Sequence, residues 1–321
     1  MGLREMSELY SLLKSMEPFS LAFHGDADGI YSASLLMSVF KVKKVVCPPF
    51  GEYDTDVAVD LGAPRLIPDW SGVAIDHHPD HPDNRSYRLF THSKYPHAPC
   101  GLIIYEHLRE HIPKDQLWKV VGSLTGDGQP EYTPDEIWEL YPILLEERGI
   151  LSKTGGYRLH ASAFPLFYYL SSGVNAIARL GFPERALEIV NSAKHPLDIL
   201  DHIEVKDSIE RFKAEEAAIL KDKPVAETIK NRYIIVRIAP SNSSLNISGY
   251  LASKLSSENP GKTIIVINDT TGKVSLRGVL AKYVANKLSA AGFKAGGHPG
   301  YCGAEVDPKD IPKVLEVIRE L

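Results

Sequence analysis

The most constraining feature of the sequence is a series of short apolar runs, each ending at or followed by a histidine, aspartate or cysteine. The runs are FSLAF before His24, VKKVV before Cys47, DVAVD ending at Asp60 and GVAID ending at Asp76. Short, partly β-branched runs bounded by Gly or Pro are typical of buried strands in a parallel sheet. Because ligands of such sheets bind beyond the carboxyl ends of the strands, the pattern predicts an α/β fold with its functional site at that edge.

The rest of the chain predicts a second domain and a helix that joins it to the first. The apolar spacing of IYSASLLMSVFKV makes residues 19–46 a strand, helix, strand unit. Helical patterns complete the first domain at 101–112, 135–151, 164–181 and 184–193. A highly charged run of helix formers before a proline predicts a connecting helix at 201–223. Strands and helices then alternate around a Gly-rich turn. We therefore predict a parallel-sheet domain at 1–200 and a smaller α/β domain at 224–321.

Composition excludes several classes of protein. The 321 residues include 36 Lys+Arg and 41 Asp+Glu, a formal net charge of −5, and no apolar run approaches the ~20 residues that cross a bilayer. The protein therefore does not bind nucleic acid through an overall positive charge. A local basic groove, or bound metal ions, would have to supply the positive charge that a nucleic acid requires. Three separate cysteines without a CxxC pair, and an amphipathic N-terminal segment unlike a signal peptide, predict a cytoplasmic protein.

Clustered histidines and aspartates predict a metal site. Seven of the twelve histidines lie between His77 and His111. In residues 24–29, HGDADG, three candidate ligands alternate after a strand, although aspartates that cap a helix would give the same pattern. Asp60 could likewise be a turn residue, whereas the adjacent Asp-His-His of residues 76–78 has little structural purpose. Asp127 lies between glycines in TGDG, which permit close backbone approach.

Taken in order, HGDADG, VAVDLG, IDHH and TGDG resemble the DHH phosphoesterase superfamily, and the resemblance continues into the second domain. There, SLRG at residues 275–278, GGHP at 296–299 and Cys302-Gly303 resemble the DHH-associated substrate-binding domain. Two positions depart from the family pattern. The family more often has Asp-Thr-Gly where this chain has TGDG, and a small Ala where it has Cys302.

The resemblance implies a two-metal centre. One ion would be held by His24, Asp26 and Asp60, and the other by Asp28, Asp60, His77 and Asp127, so that Asp60 bridges the two. Oxygen and nitrogen ligands suit two Mn²⁺ ions, with Mg²⁺ as the alternative. His78 would contact the scissile phosphate or, alternatively, orient the neighbouring ligand.

The resemblance also implies substrate-binding residues. In the second domain these would be Ser275, Arg277, Gly296, Gly297 and His298, which would offer hydroxyl, guanidinium and backbone N–H groups to a phosphate. In the first domain, SGVNAIARL looks like a stretch of RecJ-type enzymes. Asn175 and Arg179 share a helix face there and could reach one phosphate, although an ordinary surface arginine is the alternative.

The activity expected from this resemblance is that of a RecJ-like exonuclease releasing nucleoside monophosphates from single-stranded DNA or RNA, with the 3′ end favoured. DNA repair or replication proteins would be its partners, and no membrane would be involved. The alternatives are a nano-RNase or bisphosphate-nucleotide phosphatase, a cyclic dinucleotide phosphodiesterase, and a non-catalytic assembly subunit. RecJ itself has an additional oligonucleotide-binding barrel for which this chain has no room, so the chain resembles the shorter archaeal RecJ-like exonucleases. Without an aromatic-rich basic stripe, we expect binding of only a few terminal nucleotides.

Overall fold

The structure is a computed structural model, and it describes residues 7–48, 54–63, 67, 69–79, 81–146, 165–221, 225–239, 247–298 and 300–321. The chain divides into two compact units, Met1–Ile209 and Glu210–Leu321. Across the described ranges, no helix combines the length and the apolarity needed to cross a bilayer.

A parallel five-stranded sheet forms the centre of the first unit. Its strands in chain order are β1 (Phe19–Phe23), β2 (Val42–Val46), β3 (Val57–Val59), β4 (Val73–Ile75) and β5 (Arg88–Phe90). They are arranged β2-β1-β3-β4-β5, and every neighbouring pair is parallel. The central strands β1, β3 and β4 are buried along their whole length, as their continuous apolar runs predict. The first four strands fall within the predicted apolar runs, while β5 was not predicted.

Helices pack on this sheet and around one another. In chain order they are α1 (Glu8–Ser15), α2 (Ala27–Val39), α3 (Cys100–Leu108), α4 (Trp118–Gly126), α5 (Asp135–Leu140), α6 (Leu166–Arg179), α7 (Pro183–Ser192) and α8 (Pro196–Asp201). The central helix is α2, which contacts α3, α4, α6 and α7. Its first ten residues are all buried, so that it is apolar nearly all round and not only on one face.

One predicted helix is shorter in the structure. The sequence from 135 to 151 suggests one continuous helix, but α5 ends at Leu140 and a short 3₁₀ helix, Pro142–Leu145, follows. Pro142 explains the break, because a proline inside a helix removes a backbone donor and clashes with the preceding turn. Residues 147–151 lie outside the described residues.

The second unit contains a six-stranded mixed sheet. Its strands are β6 (Val225–Ile229), β7 (Tyr233–Ile238), β8 (Thr263–Asn268), β9 (Lys273–Arg277), β10 (Lys294–His298) and β11 (Tyr301–Glu305), in the order β10-β11-β9-β8-β7-β6. Helices α10 (Ser248–Glu258), α11 (Ala281–Ala290) and α12 (Ile311–Arg319) belong to this unit. The two-unit α/β architecture confirms the predicted fold class.

The segment predicted as a Gly-rich turn is a hairpin instead. Strands β10 and β11 pair antiparallel over five residue pairs, from Lys294 with Glu305 to His298 with Tyr301. The side chains of KAGGH and YCGAE carry little strand signal, so the pairing comes from the backbone. Helix α9 (Ile203–Lys221) precedes β6 and includes the division between the units, after Ile209.

Candidate metal centre

The HGDADG segment leaves the end of β1 and begins α2. The backbone N–H of His24 still donates to the carbonyl of Val59, which extends the pairing between β1 and β3. Asp26 is the N-cap of α2: its Oδ1 accepts from the backbone N–H of Gly29 at 3.2 Å, while its Oδ2 lies 2.9 Å from His24 Nδ1. The capping role and the role of a candidate ligand are therefore compatible in one side chain.

Asp60 lies between two groups of donors. It follows β3 with a φ of 60°, and its side chain is only 3% exposed. Its Oδ2 lies 3.3 Å from His24 Nδ1, and its Oδ1 lies 3.2 Å from His77 Nε2. The two oxygens thus face different histidines, which is the geometry a bridging carboxylate requires.

The second group of donors surrounds His77. Its Nε2 lies 3.8 Å from Asp28 Oδ2 and 3.4 Å from Asp127 Oδ2, besides its contact with Asp60. Its other ring nitrogen, Nδ1, lies 3.3 Å from the carbonyl oxygen of His97. A proton on Nδ1 would donate to that carbonyl, and Nε2 would then offer its lone pair toward the carboxylates. The structure therefore brings all six predicted ligand residues into one cluster.

Close helix packing places Asp28 and Asp127 beside each other. Asp28 is fully buried in the first turn of α2, and Asp127 caps the end of α4. A Cβ on Gly126 would lie 2.9 Å from both Ala27 Cβ and Asp28 N, a separation that real Cβ atoms do not reach. Glycine at position 126 is therefore what allows the end of α4 to approach α2.

Electrostatics in the cluster show an excess of carboxylates. Burial, and then the charge of Asp60, raise the pKa of Asp28 to about 7, and burial with the neighbouring aspartates also raises the pKa of Asp127. Burial alone would lower the pKa of His24, but Asp26 and Asp60 outweigh it and raise the pKa to about 10. Protons on these groups offset part of the negative charge that the four aspartates bring to the cluster.

A pair of divalent cations fits this donor set. The donors are carboxylate oxygens and imidazole nitrogens, which Mn²⁺ accepts and Mg²⁺ accepts in part. If two ligand atoms each lie about 2.1 Å from an ion and are at right angles to each other around it, the two atoms are about 3 Å apart. Four contacts are near that value: His24 with Asp26 and Asp60, and His77 with Asp60 and Asp127.

Asp76, the first residue of the DHH triplet, organises the loop after β4, and its carboxylate also lies within 4.8 Å of ligand atoms of Asp60, His77 and His78. Its Oδ2 accepts from the backbone N–H of Gly62, and its Oδ1 accepts from the backbone N–H groups of His77 and His78. The same Oδ1 lies 2.6 Å from His78 Nδ1. This contact puts His78 Nε2 on the side of the ring away from Asp76. The positioning role of Asp76 is one that the sequence analysis did not assign.

Asp28 also has supporting contacts that no local motif reveals. Its Oδ2 accepts from the backbone N–H of Cys100 at the start of α3, and its Oδ1 accepts from the hydroxyls of Ser32 and Ser123. Of these, only Ser32 is close in sequence, one helical turn after Asp28, and the other two are distant. The buried Cys100 thiol belongs to the same cluster, with its Sγ within 4.8 Å of ligand atoms of Asp28, Asp60 and His77.

Asn175 and Arg179, the predicted substrate residues of the first unit, lie one turn apart near the end of α6. The side-chain oxygen of Asn175 accepts from the backbone N–H of Ala27 at 2.9 Å, inside the HGDADG segment. Asn175 therefore already supports the metal centre, and only its NH₂ group can donate to a phosphate. Arg179 is half-buried.

In the second unit, the predicted residues lie at neighbouring positions on three strands. Arg277 on β9 pairs with Tyr301 on β11, which pairs with His298 on β10. Two residues along the strands, Ser275 pairs with Gly303, and Gly303 pairs with Gly296. Because side chains alternate between faces with a period of two, all six positions belong to one face of the sheet. Gly297 belongs to the other set of positions, opposite Cys302.

The N-terminus of α10 lies beside this face. Ser275 Oγ donates to Ser248 Oγ, and Arg277 Nε donates to Ser253 Oγ, so that both predicted side chains contact that helix. The Arg277 guanidinium also lies 5.0 Å from the centre of the Tyr301 ring. A Cβ at Gly296 would meet no atom within 4 Å, which leaves the backbone there accessible. Of His298, only the backbone is described.

Comparison with known proteins agrees with this architecture. Residues 230–321 match the family model of the DHHA1 domain. No curated protein matches the sequence. A crystal structure of exonuclease RecJ bound to manganese covers 100% of this chain, with a TM-score of 0.63 and 15% identity, and the chain covers 94% of it.

Two further solved structures extend the comparison. RecJ from Thermus thermophilus in complex with Mn²⁺ has a TM-score of 0.67 and 16% identity over 100% of this chain, which spans 55% of that protein. A pGpG-specific phosphodiesterase, PggH from Vibrio cholerae, has a TM-score of 0.52 and 13% identity over 94% of this chain and 98% of its own. At these identities the comparisons establish a shared fold.

Proposed function

We propose that this chain, which has the DHH-superfamily fold with a C-terminal DHHA1 domain, is a metal-dependent phosphodiesterase that releases nucleoside monophosphates from the end of single-stranded DNA or RNA. The observation that carries the proposal is the arrangement around Asp60. Its two carboxylate oxygens face two separate histidine and aspartate groups, as they would if two ions shared that residue. We favour the 3′ end as the point of attack, and DNA repair or replication proteins as partners.

The ligands divide as the two groups of donors do. His24, Asp26 and Asp60 would hold one Mn²⁺, and Asp28, Asp60, His77 and Asp127 would hold the other, with Mg²⁺ as the alternative ion. When bound, such a pair supplies a water of lowered pKa for attack on phosphorus and neutralises the charge on the phosphate oxygens.

His78 would act on the phosphate. Burial lowers its pKa, but the hydrogen bond to Asp76 outweighs burial and raises the pKa above its ordinary value, so the ring retains a proton more readily near neutral pH. With Nδ1 held by Asp76, Nε2 would donate to a phosphate oxygen or to the departing oxygen. Asp76 is a positioning residue in this scheme.

The second unit would bind the substrate. Ser275, Arg277 and the backbone around Gly296 and Gly297 offer donors beside the N-terminus of α10, and such donors suit an anionic phosphate. His298, the remaining predicted residue, would bind the same group. A guanidinium offers only donors, whereas a metal ion requires acceptors, so we assign Arg277, and with it Ser275 two positions earlier, to substrate binding and not to metal binding.

Short substrates are the main alternative, since PggH shares the fold. A nano-RNase, bisphosphate-nucleotide phosphatase or cyclic dinucleotide phosphodiesterase would use the same centre. The assembled set of six competent side chains argues against the remaining alternative, a non-catalytic assembly subunit, because such a subunit would not require them.

The test is a gel analysis of products from single strands labelled at either end, in lengths from two to twenty nucleotides, with Mn²⁺ or Mg²⁺. We expect mononucleotide release from one end of the longer strands. Arg179→Ala should slow cleavage of strands of ten or more nucleotides about ten- to hundredfold, because a charge-assisted phosphate contact is lost, and spare a dinucleotide. Faster cleavage of dinucleotides by the unmodified protein would support the short-substrate alternative, and no cleavage of any strand would refute the proposal.

A further inference from the structure

We propose that Tyr95 and Tyr132 form a stacking platform for the nucleobase of the terminal nucleotide, an inference that rests on the proposed function. The two rings are in contact, with centroids 4.8 Å apart and planes tilted by 38°. Both are exposed, Tyr95 by 43% and Tyr132 by 38%. Adjacent exposed aromatic rings on a protein surface are typical of binding sites, since water makes their exposure unfavourable.

Each tyrosine belongs to a segment that borders the metal centre. Tyr95 is two residues before His97, whose carbonyl oxygen lies 3.3 Å from His77 Nδ1. Two residues of chain span at most about 7 Å. Tyr132 ends the short 3₁₀ helix that begins three residues after Asp127. The two tyrosines therefore lie on segments that adjoin the two candidate ligands, Tyr95 on the segment of His97 beside His77 and Tyr132 on the segment that follows Asp127.

The two segments are also joined to each other. Gln129 Nε2 donates to the same His97 carbonyl at 3.1 Å, so this oxygen links the segment of Tyr132 to the segment of Tyr95. A nucleobase is connected to its phosphate only through a sugar ring. A terminal nucleotide with its phosphate at the metal centre would therefore extend its base to the surface beside that centre, where the platform lies.

The segment that carries Tyr95 is held in place before any ligand binds. The backbone N–H groups of Lys94 and Tyr95 donate to His92 Nδ1, and Ser93 donates to Glu106 through both its backbone and its hydroxyl. The carbonyl of Tyr95 accepts from the backbone N–H of Ala98. The His92 ring also packs against Tyr95, with centroids 5.0 Å apart. A ring fixed in this way loses little conformational entropy when a base stacks on it.

Stacking defines the class of ligand but not the identity of the base. Every base presents a π face, so an aromatic platform tolerates different sequences and binds larger purines more tightly than pyrimidines. The platform would thus prefer a nucleoside phosphate to a sugar phosphate without a base. The two tyrosines are 37 positions apart in the sequence, which is why no aromatic stripe is visible there.

The experiment compares the binding of a nucleoside monophosphate and of ribose 5-phosphate to the full chain in Mn²⁺, by calorimetry. The unmodified protein should bind the nucleotide more tightly. Tyr95→Ala and Tyr132→Ala should each weaken nucleotide binding about 5- to 150-fold and leave binding of the sugar phosphate unchanged. Tyr95→Phe keeps the ring and should keep the affinity. Tyr168→Ala is the matched control, because that tyrosine on α6 is also 38% exposed.

The outcomes separate this inference from the proposed function. Equal binding of the two ligands by the unmodified protein, or equal losses of both in the alanine variants, overturns the platform. A protein that cleaves strands but shows no preference for the base retains the proposed function and refutes the platform alone. A protein that prefers the base but cleaves no strand, in the gel assay described above, supports the platform and refutes the exonuclease.

Discussion

Asp60 combines a backbone requirement with a chemical one. It is the buried residue after β3, and its φ of 60° is in the left-handed region. Residues with a Cβ rarely adopt that conformation, and among them Asn and Asp adopt it with the least strain. The side chain that bridges the two groups of donors is therefore also one of the few that suit its backbone.

This double role makes Asp60→Asn a sharper test than Asp60→Ala. The amide keeps the shape and the tolerance of positive φ, so Asp60→Asn should lose less of the free energy of unfolding than Asp60→Ala does. Loss of the charge should weaken Mn²⁺ binding by more than about 100-fold and abolish hydrolysis, since changes to residues that only support a ligand already cost about 10–100-fold. Asp60→Ala should in addition lose about 1–2 kcal/mol to backbone strain.

Calorimetric Mn²⁺ titration and denaturant unfolding measure these two effects separately. Tight binding of two ions per chain in the asparagine variant would contradict the bridging role.

Individual residues differ in how far the sequence predicts them. His24, Asp60 and His77 could be placed together because each ends an apolar run, and parallel strands end at one edge of the sheet. Asp76 was found within its motif, but its role depends on which atoms its carboxylate reaches. Asn175 and the pair of Tyr95 and Tyr132 depend on contacts between distant segments, for which a single sequence contains no periodic signal.

At the level of elements, the contact between α2 and α4 determines the shape of the metal centre. α2 begins with Asp28 in its first turn and α4 ends with Asp127 as its cap. Gly126 lies against Ala27 and Asp28 at the start of α2, and Gly122, one turn earlier, lies against the Tyr31 ring. A side chain at either glycine would force the helices apart.

Gly126→Ala should therefore weaken the metal centre without changing a ligand. The added methyl group would meet Ala27 and Asp28, and overpacking of this kind costs about 1–3 kcal/mol of stability. Displacement of Asp127 should lower the affinity of the second Mn²⁺ position about tenfold or more, with the first position less affected. Manganese titration by electron paramagnetic resonance measures both. Gly296→Ala is the matched control, because its methyl group would enter open space.

A fall in melting temperature with unchanged manganese affinities would mean that Gly126 serves packing only.

Helices and strands were predicted best where the pattern of apolar side chains determines the secondary structure. β1 and β2 coincide with FSLAF and VKKVV, and α6 and α7 agree with their helical patterns to within two residues at either end. The strands that were missed, β5, β6 and the hairpin of β10 and β11, are short, at an edge of a sheet or rich in glycine. Pairing with a neighbouring strand, and not local sequence, is what makes these segments strands.

For the whole molecule, the candidate centre links stability to pH. In the metal-free protein the pKa of His24 is raised from 6.5 to about 10 and that of Asp28 from 3.8 to about 7. A raised pKa contributes stability that is complete below the ordinary value and is lost as the pH rises through the folded value. His24 therefore loses its contribution between pH 6.5 and 10, and Asp28 between 3.8 and 7. Burial alone would raise the pKa of Asp60, but His24 and His77 outweigh it and lower the pKa, so its contribution to stability is present above pH 3.8 and is lost as the pH falls below that value.

Manganese should consequently stabilise the protein more as the pH rises. Protons on His24 and Asp28 compete with the ion, so its affinity increases as they leave, while the metal-free protein becomes less stable. We expect the rise in melting temperature on adding Mn²⁺ to be larger at about pH 8.5 than at about pH 6. Differential scanning calorimetry at both values, with Asp60→Asn as the control that should show little rise at either, measures this. A rise that shrinks toward the higher pH would contradict the assignment.

The spread of the centre along the chain has a consequence for how the protein is made. The six candidate ligand residues extend from His24 to Asp127, and Asn175 supports the first of their segments from further on. A ribosome adds about 5–20 residues per second, so His24 is exposed for roughly 5–20 seconds before Asp127 has been synthesised. During that interval the nascent chain offers only part of a binding site. If the six residues hold metal ions as proposed, a complete binding site therefore forms only after the first unit has largely been translated.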